Sequence, residues 1–246
     1  MNALVDTAFI LHSIAWRETS LIVEAFTRSH GRLGLIAKGA RRPRSALRGL
    51  LQPFQPLEIR WAGKGELRTL MGAEWVGGMA VLNGPSLMPG FYLNELLVRL
   101  LPREDAHPAL FDDYRETLEL LADKALAEPV LRRFECKLLR EMGYAPNFDR
   151  ETHGEGRAVK VDDLYIVDPL SGIRKAGAHD AHQESFRGAT LLALASADES
   201  IQQAAKVLQD PEIAVESKRL LRLLLGQQLG EDALASREVM RELARI

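Results

Sequence analysis

A run of basic residues between positions 28 and 48 is the part of this sequence with the clearest chemistry. It holds seven arginine or lysine residues, beginning with Arg28, and no acidic residue. The arginine guanidinium offers a fork of donors that fits a phosphate, and its flat face stacks on bases. Clustered cations are what a surface needs to follow a phosphodiester backbone. The residues that we predict to bind nucleic acid are Arg32, Lys38, Arg41, Arg42, Arg44 and Arg48.

Glycine and proline in this run indicate how the cations are presented. Gly39 and Pro43 interrupt the strand-like pattern that ends at Lys38, so the chain is expected to turn into an exposed loop there. The alternative is a solvated loop that serves only to keep the protein in solution. Seven cations without a compensating acid favour the binding function over that alternative.

Charge is distributed unevenly along the chain, although the net charge of the 246 residues is only −2. Residues 1–80 hold 11 of the 32 basic and 6 of the 34 acidic residues, a balance of +5, which leaves −7 for residues 81–246. A positive first part indicates an anionic partner for that part. An ordinary difference in surface charge between two domains is the open alternative.

Signatures of catalysis are absent from the sequence. It has no phosphate-binding G-x-x-x-x-G-K-[ST] motif and no G-x-S-x-G nucleophile motif. Cys136 is the single cysteine, and its apolar helical surroundings predict a core thiol. His153, His179 and His182 do not have the spacing of a metal site. We therefore expect no catalytic residue, no metal, no cofactor and no enzymatic activity.

Five short segments rich in β-branched and aromatic residues occupy the first 80 residues, separated by turn-forming residues. The predicted strands are Thr7–Ile14, Thr19–Thr27, Arg32–Lys38, Leu57–Trp61 and Glu66–Trp75. A small closed barrel accommodates five such strands better than an open sheet with exposed edges. We assign residues 1–80 to this barrel, which must carry the basic loop on its rim.

Helical spacing of the apolar residues replaces the strand pattern after residue 81. The predicted helices are Phe91–Leu101, Pro108–Ala127, Glu128–Met142, Arg187–Ala197, Ile201–Leu208, Pro211–Leu229 and Ser236–Arg245. Residues 146–186 form a less regular insert, with a short hairpin expected at Val159–Val167 before Asp168. The predicted fold class is α+β, a five-stranded barrel followed by a mainly α-helical domain at 81–246.

The sequence also indicates where in the cell the protein is expected. No apolar run reaches the roughly 18 residues of a membrane span. The first residues lack the basic and apolar regions of a secretory signal. A single cysteine fits a reducing environment, so a cytoplasmic location is expected.

Several motifs, taken together, are similar to one protein family. The barrel contributes W-R-E-T-S at Trp16–Ser20, A-K-G-A-R-R-P-R-S at Ala37–Ser45 and L-R-G-L-L-Q-P-F at Leu47–Phe54. The helical part adds Y-L-N-E-L-L at Tyr92–Leu97 and L-R-R-F-E at Leu131–Glu135. With this combination the chain resembles the bacterial recombination mediators of the RecO family over nearly its whole length.

The resemblance implies that the barrel is an OB-fold and that the protein acts in DNA repair in the cytoplasm, associated with the nucleoid. RecO proteins bind single- and double-stranded DNA, anneal complementary strands and, with RecR, help load RecA onto DNA coated by the single-strand-binding protein SSB. The resemblance also implies that Arg132 and Arg133 grip the acidic tail of SSB, and the alternative is an ordinary solvated helix face. Many members carry a four-cysteine zinc module whose first cysteine would fall near residues 149–151. This chain lacks those cysteines, so packing should hold the 146–186 insert.

Two other functions stay open from the residues themselves. An OB-fold adaptor associated with RNA or translation would use the same sequence-tolerant cations. A metal-dependent nuclease would need clustered carboxylates beside the basic barrel, and residues 28–48 contain none.

Overall fold

The computed structural model describes residues 3–123, 125–153, 155–198, 200–230 and 234–243. The chain divides into two compact units. The first comprises Met1–Ala122 together with Leu234–Ile246, and the second comprises Asp123–Ala233. No helix among the described residues is long and apolar enough to cross a membrane.

The first unit is built on a closed barrel of five strands. They are β1 (Leu4–Trp16), β2 (Ser20–Thr27), β3 (Gly31–Ala37), β4 (Pro56–Ala62) and β5 (Leu67–Trp75), and the connection before β4 contains the short helix α1 (Leu47–Leu50). The order around the barrel is β1-β2-β3-β5-β4, and β1 closes it by pairing with β4. Only the β3–β5 pair is parallel within this barrel. This is the OB-fold arrangement, and it confirms the predicted five-stranded barrel.

Barrel closure depends on the length of β1, which exceeds the predicted strand at both ends. Residues 4–9 pair with β4, while residues 8–16 pair with β2. The pairing with β2 shifts register between Ile10 and His12, and such a bulge bends the strand between its two partners. Alternating side chains point inward, and Trp61 is the largest that is fully buried there.

Besides α1, the described part of the same unit contains the helices α2 (Leu87–Leu100), α3 (Pro108–Leu120) and α8 (Ala235–Leu243). Phe9 and Phe26 from the outer side of the barrel pack against Phe111 and Tyr114 of α3, with ring centroids 5.1–6.2 Å apart. Contact between these rings fastens α3 to the face of β1 and β2. The predicted helix through Ala127 was too long, because α3 ends at Leu120.

The second unit is mainly helical, which confirms the predicted fold class of barrel followed by helices. Its helices are α4 (Ala127–Glu141), α5 (Gly188–Ala195), α6 (Ile201–Leu208) and α7 (Pro211–Leu229). Its insert forms a three-stranded sheet of β6 (Leu164–Asp168), β7 (Gly172–Lys175) and β8 (Phe186–Arg187), in the order β7-β6-β8. Cys136 is fully buried in α4, as predicted for a core thiol.

The hairpin predicted at Val159–Val167 was wrong, because the turn lies further along the chain. The strands that pair are β6 and β7. Asp168 Oδ1 accepts hydrogen bonds from the backbone N–H groups of Leu170 at 2.9 Å and Ser171 at 2.7 Å. An aspartate that binds the backbone two and three residues ahead initiates a tight turn, so Asp168 begins the connection and does not follow it.

Packing and ion pairs hold the insert. Thr152 exchanges two hydrogen bonds with Ile173, at 2.7 and 2.8 Å. Arg174 binds Asp180 through two bonds of 2.7 Å. These bonds from Arg174, with help from the backbone N–H of Gly177, hold the pKa of Asp180 well below its usual range. Among the described residues, no group of three or more His, Cys, Asp or Glu side chains is arranged to hold a metal ion.

Replacement of Asp180 by Asn is expected to accelerate hydrogen exchange in β6 and β7 at neutral pH. The folded-state pKa of Asp180 is depressed, so its stabilisation is present above the unfolded-state value of about 3.9 and is lost as the pH falls below it. The difference between the two proteins should therefore shrink below about pH 4. Exposed Asp162→Asn is the control; equal exchange in Asp180→Asn and the unmodified protein at neutral pH would contradict this account.

Candidate nucleic-acid interface

The basic loop, residues 38–48, is an ordered series of turns between β3 and β4. Arg42 N–H donates to the carbonyl of Gly39 at 3.1 Å, and Arg48 N–H donates to that of Ser45 at 3.2 Å. Ala40 within the loop and Leu51 just after it are buried in the core of the barrel. Gly39 has φ of +71°, a conformation that favours glycine. Two apolar anchors thus fix the loop, and its cations are left to point outward.

Arg41 joins the loop to the tight turn between β1 and β2. Its backbone N–H donates to the carbonyl of Thr19 at 2.9 Å. Its guanidinium lies 3.4 Å from the carbonyl oxygen of Arg17 and 3.5 Å from that of Glu18. The basic loop therefore lies directly against this turn.

That contact brings Trp16 and Arg17 to the basic loop, although neither was among the residues predicted to bind nucleic acid. The Trp16 side chain is 40% exposed, and the Arg17 guanidinium lies over its ring, 5.9 Å from the centroid. Arg17 has φ of +51°, which costs a non-glycine residue about 1–3 kcal/mol and is often found at functional sites. An aromatic residue next to an arginine at the end of a strand was the available signal.

A polar cavity of about 320 Å³ lies between the loop and the barrel. Arg41 and Arg48 both line it, together with Ser13 and Gln52. Two guanidinium groups, a hydroxyl and an amide on one cavity provide the donors that a phosphate requires.

Five of the six predicted nucleic-acid-binding residues are exposed on this rim. They are Lys38, Arg41, Arg42, Arg44 and Arg48. In the described part of the chain no carboxylate forms an ion pair with any of them. Their positive charge is therefore not cancelled locally, which suits binding to a polyanion.

Arg32 is not part of this exposed cluster. Its Nε donates to the carbonyl of Leu101 at 3.0 Å, and its guanidinium pairs with Glu24 at 3.0 Å. Only 14% of its side chain is exposed. Arg28 is likewise held by two hydrogen bonds to Asp112, whose carboxylate raises the pKa of the guanidinium. Arg32 therefore supports the fold. We now predict phosphate contacts only for the five exposed cations.

A closing segment, residues 101–105, explains why Arg32 is buried. Glu24 on β2 accepts from both Arg32 and Arg103 of this segment. Glu104 N–H donates to the carbonyl of Arg32 at 3.0 Å. A Cβ added at Gly31 would come within 2.0 Å of the Asp105 carbonyl oxygen, so the two backbones are in contact. The part of the β2–β3 face around Glu24, Arg32 and Gly34 is thereby covered, on a face that OB-folds commonly use for oligonucleotides, and the rim with the basic loop is left open.

Arg132 and Arg133, the predicted partner-binding residues, lie on α4 and are buried, so the alternative of a solvated helix face was wrong. Arg132 pairs with Glu135 at 2.7 Å. Arg133 Nε donates to the carbonyl of Ala197 at 3.2 Å, just beyond α5. Donors of this kind satisfy carbonyl groups that a helix end leaves without partners. Binding of a partner's carboxylate by these arginines stays a prediction.

Two family models match consecutive parts of this chain. Recombination protein O N terminal matches residues 1–79, and Recombination protein O C terminal matches residues 85–238. The chain belongs to the RecO family. This confirms the resemblance to the RecO family drawn from the sequence motifs.

Relatives of similar length bear the same family name. DNA repair protein RecO of Burkholderia pseudomallei (strain 1710b) is 49% identical over 240 residues, which cover 97% of this chain and 83% of that protein. The DNA repair protein RecO of Polynucleobacter asymbioticus is 47% identical, over 98% of this chain and 97% of that protein. That of Aromatoleum aromaticum is 48% identical and covers 97% and 95%. In a comparison with solved structures, Entamoeba histolytica asparaginyl-tRNA synthetase aligns with 74% of this chain and 39% of the synthetase chain. The sequence identity is 14% and the TM-score is 0.25, which is too low to indicate a shared fold.

Removal of Arg41, Arg42 and Arg44 together is expected to weaken DNA binding and its dependence on salt. If about four cations contact phosphates, the log–log salt slope on a single strand is near −3, and the triple alanine variant should flatten it by about 2. A salt titration on one labelled oligonucleotide measures both slopes.

The matched control for this titration replaces exposed Arg157, Lys160 and Lys206 by alanine, which removes the same charge from the second unit. Circular dichroism checks that all variants are folded. An unchanged slope in the folded triple variant of the basic loop would place the DNA path elsewhere.

Proposed function

We propose that this RecO-family chain is a recombination mediator in DNA repair that binds single- and double-stranded DNA through the rim of its OB-fold and catalyses no bond change. The observation that carries the proposal is the arrangement of Arg41 and Arg48 on one cavity, within a loop of exposed cations that no described carboxylate neutralises. Phosphate contacts of this kind are independent of base sequence, as repair of arbitrary sequences requires.

Annealing of complementary strands is the mechanism that we derive from this surface. Two DNA strands repel each other through their phosphates, and a cationic rim lowers that electrostatic barrier. The guanidinium groups contact the backbone, which leaves the base edges free to pair. Annealing itself makes and breaks no covalent bond, so binding energy is sufficient to drive it.

The further steps belong to the same proposal: with RecR, the chain helps load RecA onto DNA that SSB coats, and it holds the acidic SSB tail through Arg132 and Arg133. Arg132 already pairs with Glu135 inside the second unit. An incoming tail carboxylate would therefore have to displace Glu135 from Arg132, and this exchange would make the contact weak and reversible.

Strand annealing in the presence of SSB tests this function and separates it from the RNA-associated adaptor. Two complementary labelled DNA strands, each coated with SSB, should anneal faster with the unmodified protein than without it. The Arg41, Arg42 and Arg44 triple variant should lose most of that acceleration, because annealing depends on the same charge neutralisation. The control variant at Arg157, Lys160 and Lys206 should retain it.

Three outcomes of the annealing experiment would contradict the proposal. No acceleration on SSB-coated DNA, together with acceleration on RNA strands of the same sequence, would favour the RNA-associated adaptor. Shortened strands after incubation with magnesium would identify a nuclease. Equal acceleration by the triple variant and the unmodified protein would show that the basic loop does not act in annealing.

A further inference from the structure

An aromatic groove of about 600 Å³ lies beside the basic loop in the first unit. Its walls include Leu50 of α1, Phe54, Trp75 at the end of β5, Val81 and Phe91 of α2. The lining is mostly apolar, yet several of these side chains face solvent. Trp75 is 60% exposed, Val81 69% and Phe91 41%. A cluster of exposed large apolar side chains in a concave site marks a binding surface more often than a single exposed residue does.

Hydrogen bonding and backbone contacts hold the rings of the groove in place. The indole N–H of Trp75 donates to Gln55 Oε1 at 3.2 Å, which orients the exposed ring. Phe54 and Phe91 pack edge to face, with ring centroids 5.0 Å apart. Phe54 has φ of +69°, a conformation with a cost of about 1–3 kcal/mol for a non-glycine residue. A Cβ at Gly90 would lie 2.9 Å from the Phe54 ring, so α2 is seated directly against it.

The aromatic groove and the Arg41–Arg48 cavity share a wall. Gln52 and Pro53 line both of them, and α1, which carries Arg48, contributes Gly49 and Leu50 to the groove. A ligand that fills both sites must therefore carry anionic groups for the cavity and apolar groups for the groove. Single-stranded DNA has this chemistry, because its phosphates follow cations while its unstacked bases pack on aromatic rings. A duplex keeps its bases stacked inside and offers only phosphates to such a surface.

We propose that the aromatic groove binds unstacked bases of single-stranded DNA whose backbone lies on the Arg41–Arg48 cavity. The proposal rests on the proposed DNA-binding function and adds to it a way to distinguish single strands from duplex. Trp75 is the principal stacking platform, since it is the most exposed ring of the groove and its plane is fixed by Gln55.

Binding of three labelled ligands to Trp75→Ala tests this proposal. The ligands are oligo-dT, a blunt duplex of the same length, and an abasic strand with the same number of phosphates. Loss of stacking on one base corresponds to about a tenfold loss of affinity for oligo-dT, from roughly 1–3 kcal/mol per base. Duplex affinity and the salt slope should be unchanged. The unmodified protein should bind the abasic strand about tenfold more weakly than oligo-dT, whereas Trp75→Ala should bind both alike.

Two further variants control for surface effects. Trp75→Phe keeps a ring and should retain most of the oligo-dT affinity. Met71→Ala removes a side chain that is 63% exposed on the same strand but outside the groove. This variant should keep the affinity of the unmodified protein for all three ligands. The Arg41, Arg42 and Arg44 triple variant should lose affinity for all three ligands.

The possible outcomes distinguish base binding by the groove from phosphate binding by the basic loop. Unchanged oligo-dT binding by folded Trp75→Ala, with loss in the triple variant, would overturn the groove proposal. Equal losses on oligo-dT and duplex would also overturn it, because no base selectivity would exist. Full affinity of the triple variant for all ligands would instead show that the basic loop is not the DNA-binding surface, and failure of the unmodified protein to bind any of the three ligands would refute the proposed DNA-binding function.

Discussion

The ion pairs of Glu24 with Arg32 and Arg103 are the interaction on which the functional surface depends. The Glu24 carboxylate is only 12% exposed, so it requires cationic partners, and two guanidinium groups from different parts of the chain supply them. Their attachment holds the closing segment over β2 and β3. Gly31 and Gly34 permit this close approach, since a Cβ at Gly34 would lie 3.3 Å from an Arg103 nitrogen and nearer still to the backbone of Glu66.

Because the closing segment lies over part of the β2–β3 face, the open binding surface lies at the rim of the barrel. There the basic loop is pinned by Ala40 and Leu51, while its cations stay in solvent. Such a cluster of like charges is unfavourable for the folded unit, because the charges repel one another. The fold holds them together through the buried anchors, and an arriving polyanion relieves the repulsion. The second unit uses arginine in the opposite way, since Arg132 and Arg133 are buried among their own partners.

Local pattern in the sequence was enough to predict the barrel, the basic loop and most helices. Strand propensity and the turn-forming residues between the strands are both signals that lie within a few residues. The motifs were specific enough to identify the family. Local pattern could not predict that Arg32 is largely buried while Lys38 is exposed. The burial of Arg32 depends on Leu101 and Arg103, which are remote from it in sequence. Burial of Arg132 had a local signal in Glu135 three residues later, which suits an ion pair along one helix.

Hydrogen exchange with and without bound oligo-dT tests the central claim most directly, because it reports which backbone amides the DNA covers. If the closing segment displaces the DNA path to the rim, binding should protect the β1–β2 turn at Arg17–Thr19 and the loop at residues 38–48. Amides of β2 and β3 between residues 22 and 34, and those of the closing segment, should exchange at the same rate in both states. Protection centred on β2 and β3, with faster exchange in residues 101–105, would contradict the account, since it would mean that DNA displaces the closing segment and binds the face beneath it.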